Sequence, residues 1–144
     1  MALIREVLNR KSTGVVAVAP EATVRETAAL MNEHHVGALV VRDEHQVLGI
    51  FTERDVLHRV VAHERDPATT RVSDVMTPHV VFCRPDTSLE EARNIFKQRR
   101  IRHLPVMSGS RLEGLISIGD VNAWQLDDQE VTIQYLNEYY YSRL

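Results

Sequence analysis

The chain has little of what would place it outside the ordinary globular proteins. Cys83 is the one cysteine among 144 residues, so no internal disulfide can form and a reducing compartment is the expectation. Aromatic residues make up 6 %, with six glycines and five prolines, which excludes collagen and low-complexity tracts. The longest apolar runs are only a few residues, such as Ala38-Leu39-Val40-Val41, against the roughly 20 residues that span a bilayer; no membrane insertion is expected. Positive charge is not in excess: the formal net charge is −3, which supplies no global field for nucleic acid, and no nucleic-acid partner is expected. No apolar stretch stands behind Met1-Ala2-Leu3-Ile4-Arg5-Glu6, so the expected location is cytoplasmic. A Gly-rich phosphate loop, a nucleophile elbow and a His-Glu-x-x-His pair are all missing. No catalytic residue can be named, and the chain is not expected to be an enzyme. What is present is 44 % apolar and 26 % charged residues, an average supply for one core. One distribution is uneven: Tyr135, Tyr139, Tyr140 and Tyr141, all of the tyrosines, lie in the last ten residues.

An internal repeat organises the rest. At an offset of 65, Val15-Val16 aligns with Val80-Val81, Pro20 with Pro85, Glu26 with Glu91, Leu39 with Leu104, Gly49 with Gly114 and Asp55 with Asp120, without a gap. Upstream the offset becomes 68, pairing Ile4-Arg5-Glu6-Val7-Leu8 with Val72-Ser73-Asp74-Val75-Met76 and leaving three extra residues near Lys11 in the first copy. The expected organisation is a first repeat over 1–66, a second over 67–126, and a helical tail over 127–144.

Each copy reads strand, helix, strand, strand, helix. The first strands are expected at 15–18 and 80–83, ending at Pro20 and Pro85. Thr23 to Glu26 and Ser88 to Glu91 form capping boxes at helix starts. Val24, Thr27, Ala28 and Met31, and likewise Leu89, Ala92, Ile95 and Phe96, put apolar side chains on one helical face. Short apolar strands follow at 36–41 with 47–51 and at 101–106 with 112–116, each pair close enough in sequence for a hairpin. The second helices begin near Glu53 and Ile118. A unit of about 60 residues is marginal alone, so two should pack sheet to sheet about a pseudo-twofold, joined by the linker at 65–71.

The chemistry is concentrated where each copy ends: Gly49-Ile50-Phe51-Thr52-Glu53-Arg54-Asp55 and Gly114-Leu115-Ile116-Ser117-Ile118-Gly119-Asp120. Both place a hydroxyl and an aspartate three residues apart at a strand-to-helix junction. One explanation is a capping box. The other starts from the free N–H groups and positive dipole end of a helix N-terminus, which attract phosphate, with the hydroxyl as a further donor. An aspartate one turn on accepts hydrogen bonds from the two hydroxyls of a ribose. The preceding glycine lets something approach the backbone. Elsewhere, Lys97, Arg99 and Arg100 read as a solvated helix C-terminus. The seven histidines show no i, i+4 ligand pair, so no metal is expected. Cys83 reads as a small buried hydrophobe.

The duplicated unit and its two Gly-x-x-Thr/Ser-x-x-Asp endings resemble the cystathionine-β-synthase (CBS) domain family, in the tandem arrangement called a Bateman module. The resemblance covers roughly residues 4 to 125. It implies an α+β fold of two intertwined β-α-β-β-α repeats about a pseudo-twofold axis, a stand-alone regulatory pair. It also implies two clefts that bind adenine nucleotides or related adenosyl ligands (AMP, ADP, ATP or NAD) as regulatory ligands. Assembly as a homodimer, and an effector protein that receives the signal, are implied as well; the alternative is a ligand-free scaffold regulating a partner enzyme or transporter. Carried over by motif, Thr52, Arg54, Asp55, Thr77, Val81, Arg102 and His103 would form one cleft. Ser12, Val16, Gly37, Ala38, Ser117 and Asp120 would form the other, with Lys11, Ser12 and Thr13 as alternatives for one position. The first cleft, with Arg54, Arg102 and His103, is expected to hold the more highly charged phosphate or to bind more tightly. Val131, Tyr135 and Leu136 share a stripe of the tail, with Tyr139 a turn further; the tail either packs back on its own pair or contributes to the dimer interface.

Overall fold

A computed structural model describes residues 2–11, 14–78 and 80–141, with side-chain burial through residue 138. Ser12, Thr13 and the side chains of Tyr139, Tyr140 and Tyr141 therefore lie outside the described residues. The order of elements is α1 (Ile4–Arg10), β1 (Ala17–Val18), α2 (Val24–His34), β2 (Ala38–Arg42), β3 (Val47–Thr52), α3 (Glu53–Asp55, continued by π-helical turns over Val56–Val61), α4 (Val72–Val75), β4 (Thr77–Pro78), α5 (Leu89–Arg99), β5 (His103–Ser108), β6 (Arg111–Ser117) and α6 (Ile118–Tyr141). This is the α+β duplication expected from the sequence.

Local chemistry starts and stops the helices in matching ways. The Thr23 hydroxyl accepts the Glu26 N–H while Glu26 reaches back to the Thr23 N–H; the Ser88 hydroxyl accepts the Glu91 N–H at 3.1 Å. Both helices end on a left-handed residue, His35 at φ 54° and Arg100 at φ 53°, 65 positions apart, which turns the chain directly into the next strand. The three strands of the first copy and β4 of the second form a sheet ordered β1-β2-β3-β4. There β1 runs parallel to β2, pairing Val18 with Val41, and β2 and β3 form the antiparallel hairpin. In the second copy β5 and β6 form the equivalent hairpin, and the expected strand at 80–83 is reduced to a single parallel bridge, Cys83 to Val106. That bridge is the counterpart of the Val18 pairing.

The two copies exchange their opening segments. Ile4, Val7, Cys83, Ala92, Phe96, Leu104, Val106, Ile116 and Val121 make one core, so α1 of the first copy is packed inside the second. Val24, Met31, Leu39, Val41, Phe51, Val60, Val72 and Val75 make the other, with α4 contributed in return. The backbone bonds repeat the exchange. Ile4 N–H donates to Thr87 O at 2.9 Å and Val72 N–H to Ala22 O at 2.7 Å; Arg5 N–H donates to Pro85 O at 2.9 Å and Ser73 N–H to Pro20 O at 3.2 Å. The short bridges Leu3 to Ser88 and Thr23 to Arg71 complete the correspondence. These leading helices were not expected from the sequence, which assigned no element before the first strand of each copy.

Glycines 49 and 114 serve this exchange. A Cβ on Gly49 would lie 2.6 Å from Thr77 O, and one on Gly114 would lie 2.7 Å from Leu8 Cδ2. What approaches the backbone at both positions is the exchanged segment of the other copy. Helix α6 crosses position 126/127 without a break. Val121 is buried and Trp124 packs on the core, but beyond them Leu126, Val131, Ile133, Tyr135 and Leu136 are exposed. Asp127 still pairs with Arg10, and from Asp128 through Glu138 every described side chain of the tail is exposed.

Candidate functional site

Two cavities open at the strand-to-helix junctions, and each mixes residues of both copies. The first, of about 290 Å³, is bordered by Ile50, Thr52, Glu53, Arg54, Asp55, Thr77, Arg100, Arg102 and His103. The second, of about 430 Å³, is bordered by Lys11, Val16, His35, Gly37, Ala38, Glu113, Ser117 and Asp120. Gly37 and His103 border both, so these two residues form the wall between the clefts.

At the first junction a full capping box is formed. Thr52 N–H donates to Asp55 Oδ2 at 3.0 Å and Asp55 N–H donates to Thr52 Oγ1 at 3.4 Å. The carboxylate, 5 % exposed, also accepts the Thr77 hydroxyl at 3.2 Å and pairs with Arg59 Nε at 3.4 Å. Arg59 in turn donates to Met76 O. At the second junction Ser117 N–H donates to Asp120 Oδ2 at 2.8 Å and Asp120 N–H to Ser117 Oγ at 3.0 Å. Here the cation is Lys11, whose Nζ lies 2.8 Å from Asp120 Oδ2 and donates to Leu115 O at 2.7 Å. Capping and the ligand reading therefore fall on the same atoms.

The first-turn amides are partly used. Glu53 N–H donates to Gly37 O and Ile118 N–H to Arg102 O, both at 3.0 Å. Among the described residues, Arg54 and Gly119 keep the second amide of each helix without a backbone acceptor, which is what an anion at a helix start requires.

Of the residues singled out in sequence, Thr52, Arg54, Asp55, Thr77, Arg102 and His103 do meet around the first cleft, and Val16, Gly37, Ala38, Ser117 and Asp120 around the second. Val81 does not reach its cleft: it packs against the second core. Of the three neighbours that the sequence left as alternatives, Ser12 and Thr13 lie outside the described residues, and Lys11 borders the second cleft. Arg59, Glu53, Arg100 and Glu113 were not foreseen. The i, i+4 spacing of Asp55 and Arg59 was the available signal for one of them. Arg54, Arg100 and Arg102 face Glu53 and Asp55 in the first cleft, whereas Lys11 faces Glu113 and Asp120 in the second, so the first is the more positive. Burial, with Lys11 and Arg102 nearby, pushes the His103 imidazole below its usual value, against the opposing pull of Asp120 and Glu53.

The sequence profile of the CBS domain matches residues 4–62 and 72–127. The chain belongs to the CBS-domain family. Among curated proteins this CBS pair is 36 % identical over 118 residues to the CBS domain-containing protein YhcV of Bacillus subtilis, spanning 82 % of this chain and 84 % of that one. A crystal structure of a CBS-domain containing protein from Agrobacterium tumefaciens superposes with a TM-score of 0.79 at 38 % identity, covering 86 % of this chain and 99 % of that one. Hypoxic response protein 1 of Mycobacterium tuberculosis is 28 % identical over 122 residues, 84 % of this chain and 83 % of that one. A crystal structure of Hypoxic Response Protein I, with two coordinated zinc ions, aligns with a TM-score of 0.72 at 26 % identity over 85 % of this chain and 98 % of that one. In the CBS pair described here, no group of three or more His, Cys, Asp or Glu side chains converges as a metal site among the described residues. No helix among them is long and apolar enough to cross a membrane.

Proposed function

We propose that this CBS pair is a regulatory module, without catalysis of its own, that senses adenine nucleotides or related adenosyl ligands (AMP, ADP, ATP or NAD) in its two clefts. The observation that carries the reading is the pairing of Asp55 and Asp120, each held beside a helix start whose second amide has no backbone acceptor, with cavities lined by both copies. A ligand spanning such a cavity binds one arrangement of the copies better than another, which is the requirement for regulation. The clefts are unequal: the arginines of the Asp55 cleft suit a polyphosphate, and the acid-rich Asp120 cleft suits a less anionic ligand. A thermal-shift panel of AMP, ADP, ATP and NAD tests this. At 100-fold excess over its dissociation constant a ligand stabilises by about 2.7 kcal/mol, worth roughly 5–10 °C in a chain of this size. The shift is expected to vanish in the Asp55→Ala, Asp120→Ala double variant. No shift with any of the four refutes the reading.

A second reading, a ligand-free scaffold for a partner protein, draws on the internal pairing of both carboxylates. It shares with the first the expectation of a homodimer, supported by two sets of exposed apolar side chains: Leu57 and Val61 after α3, and Leu126, Val131, Ile133, Tyr135 and Leu136 on α6. Measuring mass against concentration, with and without nucleotide, for the full chain and for one ending at Asp128, separates these. The tail is expected to contribute to the dimer, so the shorter chain should dissociate at lower dilution; a scaffold alone would show no nucleotide dependence.

A further inference from the structure

The counter-ions of the two cleft aspartates come from different places. Asp55 is paired by Arg59 one turn along its own helix, and Arg59 reaches the other copy only through a single bond to the backbone of Met76. Asp120 is paired by Lys11, which stands at the end of α1, an element of the other copy. Its neighbour Arg10 grips α6 a second time: Arg10 Nη1 lies 3.1 Å from Asp127 Oδ2, and the guanidinium sits 4.7 Å from the centroid of the Trp124 ring. Asp120, Trp124 and Asp127 fall at i, i+4 and i+7 and so share one face of α6. A cavity of about 400 Å³ bordered by Val7, Arg10, Lys11, Trp124 and Asp127 leaves room for these side chains to rearrange. The first copy has no such arrangement, because the positions equivalent to Trp124 and Asp127 hold Arg59 and Ala62.

We propose that Arg10 and Lys11 form a clasp on α6 that couples occupancy of the Asp120 cleft to the C-terminal helix. A ligand whose ribose hydroxyls engage Asp120 frees Lys11. The adjacent Arg10 then loses its register over Trp124 and Asp127, and the exposed apolar end of α6 is repositioned. The ligand step rests on the nucleotide reading above; the clasp itself does not. Because the Arg10 to Asp127 pair holds Lys11 on Asp120, weakening that distant pair makes Asp120 easier to reach. By linkage the effect on affinity equals the effect of the ligand on the clasp. Exposed pairs contribute at most about 1 kcal/mol, so the expected change is twofold to about fivefold.

The test uses the full chain and its single tryptophan, Trp124. In the first arm, without nucleotide, Lys11→Met is expected to shift Trp124 emission to the red and raise its quenching by acrylamide, while Asp55→Asn leaves both unchanged. In the second, binding of AMP is followed by equilibrium dialysis and by Trp124 emission. AMP should move the emission in the parent, and Asp127→Asn and Arg10→Met should each tighten AMP binding at the Asp120 cleft, measured in an Asp55→Ala background. In that Asp55→Ala background, AMP that binds without moving Trp124, or with affinity indifferent to Asp127→Asn, overturns the clasp and leaves the nucleotide reading intact. Failure of AMP to bind counts against the nucleotide reading, and the first arm then decides the clasp: unchanged fluorescence in Lys11→Met, or an equal change in Asp55→Asn, refutes it.

Discussion

His103 occupies a position where burial and charge meet. It borders both clefts, with Lys11 and Asp120 toward one and Arg102 and Glu53 toward the other. Burial is the largest influence on its imidazole and, with the two cations, favours the neutral form. The folded protein therefore binds a proton at His103 less readily than the unfolded chain does, and the contribution of this residue to stability is complete above the usual histidine value near 6.5. As the pH falls below that value the unfolded chain gains protons first, and stability declines until the folded pKa is passed. Denaturant midpoints measured from pH 7.5 down to pH 5 should fall in the parent chain, and His103→Gln should flatten that decline; parallel profiles would remove His103 from the account. At Cys83 burial again favours the neutral form, now with the opposite sign of shift because the group is an acid. Desolvation pushes its thiol up to about 11, so it stays protonated at neutral pH and packs in the second core as the small hydrophobe its sequence neighbours suggested.

The helices and hairpins that were legible are those with a period long enough to register. Helix α2 was marked by both its capping box and its apolar spacing, and the hairpins of β2 with β3 and β5 with β6 by paired apolar runs around short polar turns. What escaped were elements too short to show a period. Helices α1 and α4 have seven and four residues, and their buried positions, Ile4 and Val7 or Val72 and Val75, are single i, i+3 pairs that any loop could contain. Their correspondence was visible as an offset of 68 instead of 65, which records three extra residues after α1 and says nothing of where the segment packs; that it packs in the other copy is visible only in the cores. The candidate site was legible to the same extent. Asp55, Thr52, Asp120 and Ser117 are fixed by local capping geometry and were found. Arg100 joins the first cleft because of a left-handed helix end, and Lys11 joins the second because α1 is exchanged, features that sequence spacing does not carry. Gly49 and Gly114 were rightly marked as points of close approach, although the segment that comes close is protein.

The exchange of opening helices decides what counts as a folding unit. Cutting the chain at the repeat boundary, into 1–66 and 67–144, would strand α1 with a body it does not pack against and remove Val72 and Val75 from the first core. Both valines are almost completely buried, at 0 % and 2 % exposure, and burial of each is worth about 1.5–3 kcal/mol. A body of some 65 residues has only about 3–5 kcal/mol to lose. The segment 14–78 instead keeps every residue of the first core together with β4, which closes the edge of its sheet against β3. We therefore expect 14–78 to melt cooperatively when expressed alone, 1–66 to show no cooperative transition, and an equimolar mixture of 1–66 and 67–144 to regain one as the halves trade helices. Circular dichroism melts of the three samples test this directly. If 1–66 alone melted as sharply and as high as 14–78, the contribution of α4 to the first core would be dispensable, and the two copies would be independent domains that merely touch.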